Sequence, residues 1–140
     1  MNSIYVYPAT FTPEPDENGI FDGYYNVNFP DVYGTHTFGE NLGEAFLMAE
    51  DVLALALYGH EADGGEMPVP SKLEDVEVEE GGFVNYVRCD TMRYRKKFNK
   101  KAVKKTLTIP EWLNEEATKV GVNFSQVLQK ALHKEITRKQ

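Results

Sequence analysis

The sequence predicts an α+β chain in two parts: a β-β-β-α-β front domain over residues 1–92 and a β-α-α module over 103–140, joined at 93–102 by a basic connector that reads as a linker or a short helix. Three observations carry that prediction. Apolar residues alternate with polar ones near the N-terminus, a 3,4-spaced apolar stripe runs from Leu42 to Leu57, and the pattern changes abruptly at Val103.

The first strand is Ile4 to Phe11, rich in β-formers, and the stretch Pro13 to Gly19 reads as a turn. From Tyr24 to Phe29 the residues Tyr25, Val27 and Phe29 alternate with Asn26 and Asn28, so one face of that strand is buried and one is wet. The two strands are expected to pair as an antiparallel hairpin, with a short third strand from Gly34 to Phe38. Asn41 then stands three residues before Glu44, the spacing of a helix-capping pair. Behind it Leu42, Ala45, Phe46, Ala49, Val52, Leu53, Ala56 and Leu57 form one stripe for packing on a sheet, with Gly59 as the expected stop. Pro68 and Pro70 keep the next segment extended, and Phe83 to Cys89 is a further strand.

In the last part Val103, Leu107 and Ile109 alternate with Lys104, Thr106 and Thr108, a short strand with one apolar face. Pro110 opens a helix, where a missing N–H costs nothing, and Gly121 ends it. Asn123 caps a second helix that presents Val127, Leu128, Ala131, Leu132 and Ile136. A strand without a ladder partner and two short helices bury too small a core to stand alone. The physical remedy is a second copy, the two strands pairing into an antiparallel ribbon that fits the major groove of DNA. Leu107, Ile109, Trp112 and Leu128 are the expected core of that homodimer.

Charge divides along the same line. Up to Met92 there are eighteen Asp and Glu against Lys72 and Arg88 alone, a net of −16; from Arg93 onward thirteen Lys and Arg face four Glu, a net of +9. A polyanion is repelled by the first part and attracted by the second. The one cysteine, Cys89, rules out an internal disulfide and a cysteine-rich zinc site, and its apolar setting marks it as a buried small side chain. No segment has the make-up of a leader or a membrane span, so a soluble cytoplasmic protein is expected.

The stretch Lys104-Lys105-Thr106-Leu107-Thr108-Ile109-Pro110-Glu111-Trp112-Leu113, with Gly121-Val122-Asn123-Phe124-Ser125, resembles the ribbon-helix-helix repressors of the Arc and MetJ type. The resemblance implies that the polar strand residues Lys104, Thr106 and Thr108 read base edges. It also implies that the backbone at Asn123, Phe124 and Ser125 clamps a phosphate at a helix start. Lysine suits guanine acceptors, and threonine brings a hydroxyl and a methyl.

A second resemblance covers roughly Tyr5 to Val87. Gly23-Tyr24-Tyr25-Asn26-Val27-Asn28-Phe29-Pro30-Asp31-Val32-Tyr33-Gly34-Thr35-His36-Thr37-Phe38-Gly39-Glu40-Asn41, then Glu44-Ala45 and Pro68-Val69-Pro70-Ser71, is similar to the HicB antitoxin family. That likeness implies a partial RNase H-like front domain and a HicA-type toxin partner, a small ribonuclease that the antitoxin holds inactive. It also implies that the complex represses its own operon. The acidic front domain is a suitable counter-surface for a cationic RNA-binding protein. Glu44, Leu47, Asp51, Leu55 and Tyr58 fall along one side of the predicted helix and are the expected toxin contacts, unless Leu47 and Leu55 only widen its core stripe.

Catalysis is not expected. A two-metal nuclease needs converging carboxylates, whereas Asp31 sits in a turn and Glu74, Asp75, Glu77, Glu79 and Glu80 read as a solvated run. His36, His60 and His133 have no ligand at metal-binding spacing, and no nucleotide motif or cofactor site is present in the pattern. The alternative to an antitoxin is a stand-alone repressor whose front domain senses a small molecule.

Overall fold

In the computed structural model, which describes residues 2–139, the chain divides into two compact units, Met1–Lys101 and Ala102–Gln140. The first is built on β1, Ile4–Pro13, which pairs antiparallel with β2, Tyr25–Asn28, through Thr10–Pro13 and with β4, Phe83–Asp90, through Ile4–Phe11. β3, His36–Gly39, closes the far edge, so the sheet order is β3-β2-β1-β4 and every pairing is antiparallel. Pro8 lies below the reach of β2, where one side of β1 has no ladder to lose, so a proline is tolerated in an inner strand.

The period-two alternation puts Tyr7, Ala9 and Phe11 on one face of β1, together with Val27, Val87 and Cys89 from its neighbours. α1, Leu42–Ala62, lies across this face through Ala45, Ala49, Leu53 and Leu57, all fully buried. Each side chain of the Leu57 kind contributes about 1.5–3 kcal/mol when removed from water. Phe11 stacks on Phe46 at 4.4 Å and on Phe83 at 5.0 Å, which ties helix, strand and edge together. Gly39 is required where β3 meets α1: a Cβ there would stand 2.2 Å from the Ala45 nitrogen.

α1 begins as its capping residue predicts, with the Glu44 N–H donating to Asn41 Oδ1 at 2.8 Å. It does not stop at Gly59. It continues to Ala62, because Glu61 in its last turn is held by a buried ion pair described below. Leu42 of the predicted stripe is left exposed, and Ala54 is buried in addition.

Of the two readings of the basic connector the structure shows the short helix, α2, Met92–Phe98, which belongs to the first unit. Assigning its six cations there leaves the first unit at a net −10 and the second at +3.

The second unit holds α3, Glu111–Lys119, and α4, Phe124–Lys139. Gly121, at φ +76°, sits in the left-handed conformation that reverses the chain between them. Its N–H donates to Thr118 O at 3.1 Å, and Val122 N–H donates to Ala117 O at 3.0 Å, a Schellman closure. The expected strand at Val103–Ile109 carries no ladder, since within one chain it has no strand to pair with. No described residue of this unit is buried.

Candidate functional site

In the second unit, Lys104, Thr106 and Thr108 are exposed on the unpaired stretch before α3. Asn123 caps α4: its Oδ1 accepts from Gln126 N–H at 3.1 Å and its carbonyl from Val127 N–H at 3.0 Å. The first N–H groups of α4, at Phe124 and Ser125, have no acceptor within the helix, which gives that end a partial positive charge. Leu107, Ile109 and Trp112 are also exposed, Trp112 by 65%, and Leu128 is half-buried. So many exposed large apolar groups in so short a unit form the kind of surface that commonly marks an interaction site.

In the first unit the five α1 residues do not form one free face. Asp51 accepts from Tyr94 Oη at 2.5 Å and pairs with Arg93 at 3.3 Å. That hydrogen bond to the Asp51 carboxylate is the main reason the Tyr94 hydroxyl has a raised pKa. Tyr58 stacks on Phe98 at 6.0 Å. Both residues therefore serve to dock α2, while Leu47 and Leu55 remain exposed and Glu44 half-buried.

The centre of this docking is an ion pair that sequence reading missed. Arg95 Nε donates to both Glu61 carboxylate oxygens at 3.1 Å, and its Nη2 pairs with Glu61 Oε2 and donates to Asn2 O at 2.6 Å. The Glu61 side chain is only 6% exposed. Its carboxylate raises the Arg95 pKa, mainly through these hydrogen bonds. The buried Thr91 hydroxyl lies 3.1 Å from Glu61 Oε2 and 3.2 Å from Ser3 O. No local pattern announces this cluster, since its members come from the N-terminus, the end of α1 and the start of α2.

Two pieces of the front-domain pattern meet in space. The Asp31 carboxylate accepts from Ser71 N–H at 2.9 Å and Ser71 Oγ at 2.6 Å, and the Tyr7 hydroxyl donates to Pro68 O. These bonds hold segment 68–79 beside the face of the sheet that α1 does not cover. There it walls a cleft of about 660 Å³ over Thr10, Thr12, Asn26 and Asn28, with Glu14, Asp75, Glu77 and Glu79 at its margin. The acidic run is exposed as expected, and Asp75, Glu77 and Glu79 also line this cleft, with a single turn of 3-10 helix at Leu73–Asp75. Cys89 is buried as expected, and burial pushes its thiol pKa up to about 12. Among the described residues no group of three or more His, Cys, Asp or Glu side chains is placed to hold a metal ion. No helix among them is long and apolar enough to cross a membrane.

The chain thus joins an acidic α+β unit to a basic helical tail with an exposed apolar side. The chain belongs to the HicB-like antitoxin family of bacterial toxin–antitoxin systems, whose family model matches residues 7–137. It is similar to a chain of the toxin–antitoxin complex from Streptococcus pneumoniae, at 29% identity over 94% of this chain and 99% of that one, with a TM-score of 0.59. The antitoxin HicB3 crystal structure is 26% identical over 94% of this chain and 98% of its own, with a TM-score of 0.47. A chain of the HicA3 and HicB3 toxin-antitoxin complex is 22% identical over 61% of this chain and 99% of its own, with a TM-score of 0.44. No curated protein matches the sequence.

Proposed function

We infer that the chain binds and neutralises a HicA-type, RNA-cleaving toxin through its first unit and represses its own operon by binding DNA through its second. The observation that carries the toxin half is the family match over residues 7–137, together with similarity to a chain solved within a toxin–antitoxin complex. On this reading the first unit is a partial RNase H-like domain that has no catalytic role of its own. Glu44, Leu47 and Leu55 are the members of the α1 set still free to meet a toxin.

The DNA half rests on the exposed apolar side of the tail. Two copies pair their Lys104–Ile109 segments into a two-stranded ribbon, burying Leu107, Ile109, Trp112 and Leu128 between them. Lys104, Thr106 and Thr108 then point into the major groove, and the starts of the α4 helices at Asn123, Phe124 and Ser125 rest on phosphates.

Co-expression with the neighbouring reading frame and gel retardation on the upstream DNA test both halves. A fragment ending at Lys101 is expected to keep toxin neutralisation and lose DNA retardation. The cut must follow Lys101, because ending the chain at Met92 would remove Tyr94 and Arg95 from the first unit. Operator affinity should fall steeply with salt, since each neutralised phosphate releases counterions. A flat salt response would exclude the basic tail as the DNA-binding surface.

A further inference from the structure

The face of the first unit's sheet opposite α1 has two properties that a merely wet face does not need. Residues directly opposed in an antiparallel pair share a face, and Val6 opposes Arg88 while Pro8 opposes Tyr86. With Tyr7, Ala9 and Phe11 turned to the core, Ile4, Val6 and Tyr86 are on the outer face, 42%, 44% and 46% exposed. They form an apolar row on strands β1 and β4, with the exposed Arg88 beside Val6 and Asp90 beside Ile4. On the same face the cleft over β1 and β2 is margined by Glu14, Asp75, Glu77 and Glu79, with no lysine or arginine lining it. A second hollow shares Glu14 and Asn26 and extends the acidic margin to Asp16 and Asp22.

Antiparallel sheets commonly leave one face to solvent, so exposure alone decides nothing. The charge does more. Gathering carboxylates of one sign without a counter-cation opposes folding by self-repulsion. Yet the wall that brings three of them to Glu14 is fixed by the Asp31–Ser71 bonds at 2.9 and 2.6 Å and by the Tyr7–Pro68 bond. A polar, carboxylate-margined cleft does not suit an apolar small ligand. A nucleic acid is repelled. An apolar row beside a fixed acidic margin has the make-up of a protein interface, a dry centre with a charged rim that steers a basic partner.

We propose that this uncovered sheet face, the apolar row of Ile4, Val6 and Tyr86 beside the acidic cleft, is the docking surface for the cationic toxin. This rests on the toxin-binding reading above and chooses among the surfaces of the first unit. The α1 side is already engaged in part by α2 through Asp51 and Tyr58.

The test uses the full chain and a purified, catalytically silent form of the toxin from the adjacent reading frame, with affinity read by calorimetry. The triple variant Glu14→Lys, Glu77→Lys, Glu79→Lys is expected to weaken capture at least ~100-fold, with most of the loss in a slower association rate. Val6→Ser with Tyr86→Ser should weaken it about tenfold, mainly through faster dissociation. Leu47→Lys with Leu55→Lys, on the competing α1 surface, should cost less than either sheet-face variant. Each variant is checked for a wild-type melting temperature and operator retardation, so a misfolded protein is not scored as a binding loss. Normal capture by both folded sheet-face variants overturns the docking surface while leaving the antitoxin reading standing, and so does loss confined to the α1 variant. A wild-type chain that captures no toxin overturns the antitoxin reading itself.

Discussion

The two units of this chain solve the problem of burying apolar surface in opposite ways. The first closes on itself: a four-stranded sheet and a 21-residue helix bury Phe11, Phe29, Leu53 and Leu57 with almost no residual exposure. The second buries none of its described residues. Trp112 is 65% exposed, Val120 75%, Leu107 and Ile136 55% each, and only Ala117, Val122 and Leu128 are even half-buried. The difference teaches that one part is a finished domain, able to carry an acidic surface for a protein partner. The other leaves its large apolar side chains exposed, and on the proposed dimer reading its stability would depend on protein concentration.

The sharpest way to break that contrast is to poison the tail alone. Leu107→Asp with Ile109→Asp places two carboxylates where the ribbon must form. Operator affinity is expected to fall at least ~100-fold, about 2.7 kcal/mol, and sedimentation should shift from dimer to monomer. The first unit should be untouched. Cys89 reports on it directly, because a buried thiol whose pKa is about 12 stays protonated and closed to alkylation at pH 8 until the unit unfolds. A double variant that remains dimeric and still retards the operator would contradict the proposed dimer reading. Rapid labelling of Cys89 in it would show that the units are not independent.

The next effect is smaller and falls on the other side. Glu61→Gln leaves the shape of the α1–α2 clamp but strands Arg95 against a neutral amide. The pair is mostly but not wholly shielded, with side chains 6% and 15% exposed, so its loss lies between the values for surface and interior pairs. We expect a cost of about 2 kcal/mol, a fall of roughly 10 °C in Tm for a domain of this size. Dimerisation and operator binding should be unaffected below that temperature. An unchanged melt would mean that α2 is held by Tyr94 and Phe98 alone.

The contrast also explains which features could be read from the sequence. Asn41 with Glu44, the α1 stripe and the Gly121–Asn123 corner are local: their partners lie within a few residues, so spacing alone reveals them. The motif residues Asp31 and Ser71 stood out in the sequence, but their bond joins positions forty residues apart and no periodicity expresses it. The charge of α2 left linker and short helix equally open. Only Met92, Tyr94 and Phe98 of its seven residues are apolar, and its position is set by Glu61 and Asp51 on another helix. The acidic run is solvated as its composition implies, but the cleft it lines exists only once Glu14 is brought beside it. The expected tail strand has no pairing partner in the single chain, so nothing within it tests that reading.

The smallest expected effect separates charge from shape at the start of α2. Asp90 Oδ1 accepts from Met92 N–H at 3.0 Å, and this bond is the main reason its carboxyl titrates below the usual aspartate range. Asp90→Asn keeps an oxygen for the same N–H and removes only the negative charge facing the positive end of the helix. Asp90 is exposed, so solvent screening limits the cost to a few tenths of a kcal/mol near neutral pH. A folded-state pKa below the unfolded value contributes stability that is complete above the unfolded pKa and is lost as pH falls through the folded one. The melting temperatures of wild type and variant should therefore differ slightly at pH 7 and converge in strong acid. A gap that persists after Asp90 is protonated would assign the effect to hydrogen-bond geometry and not to charge.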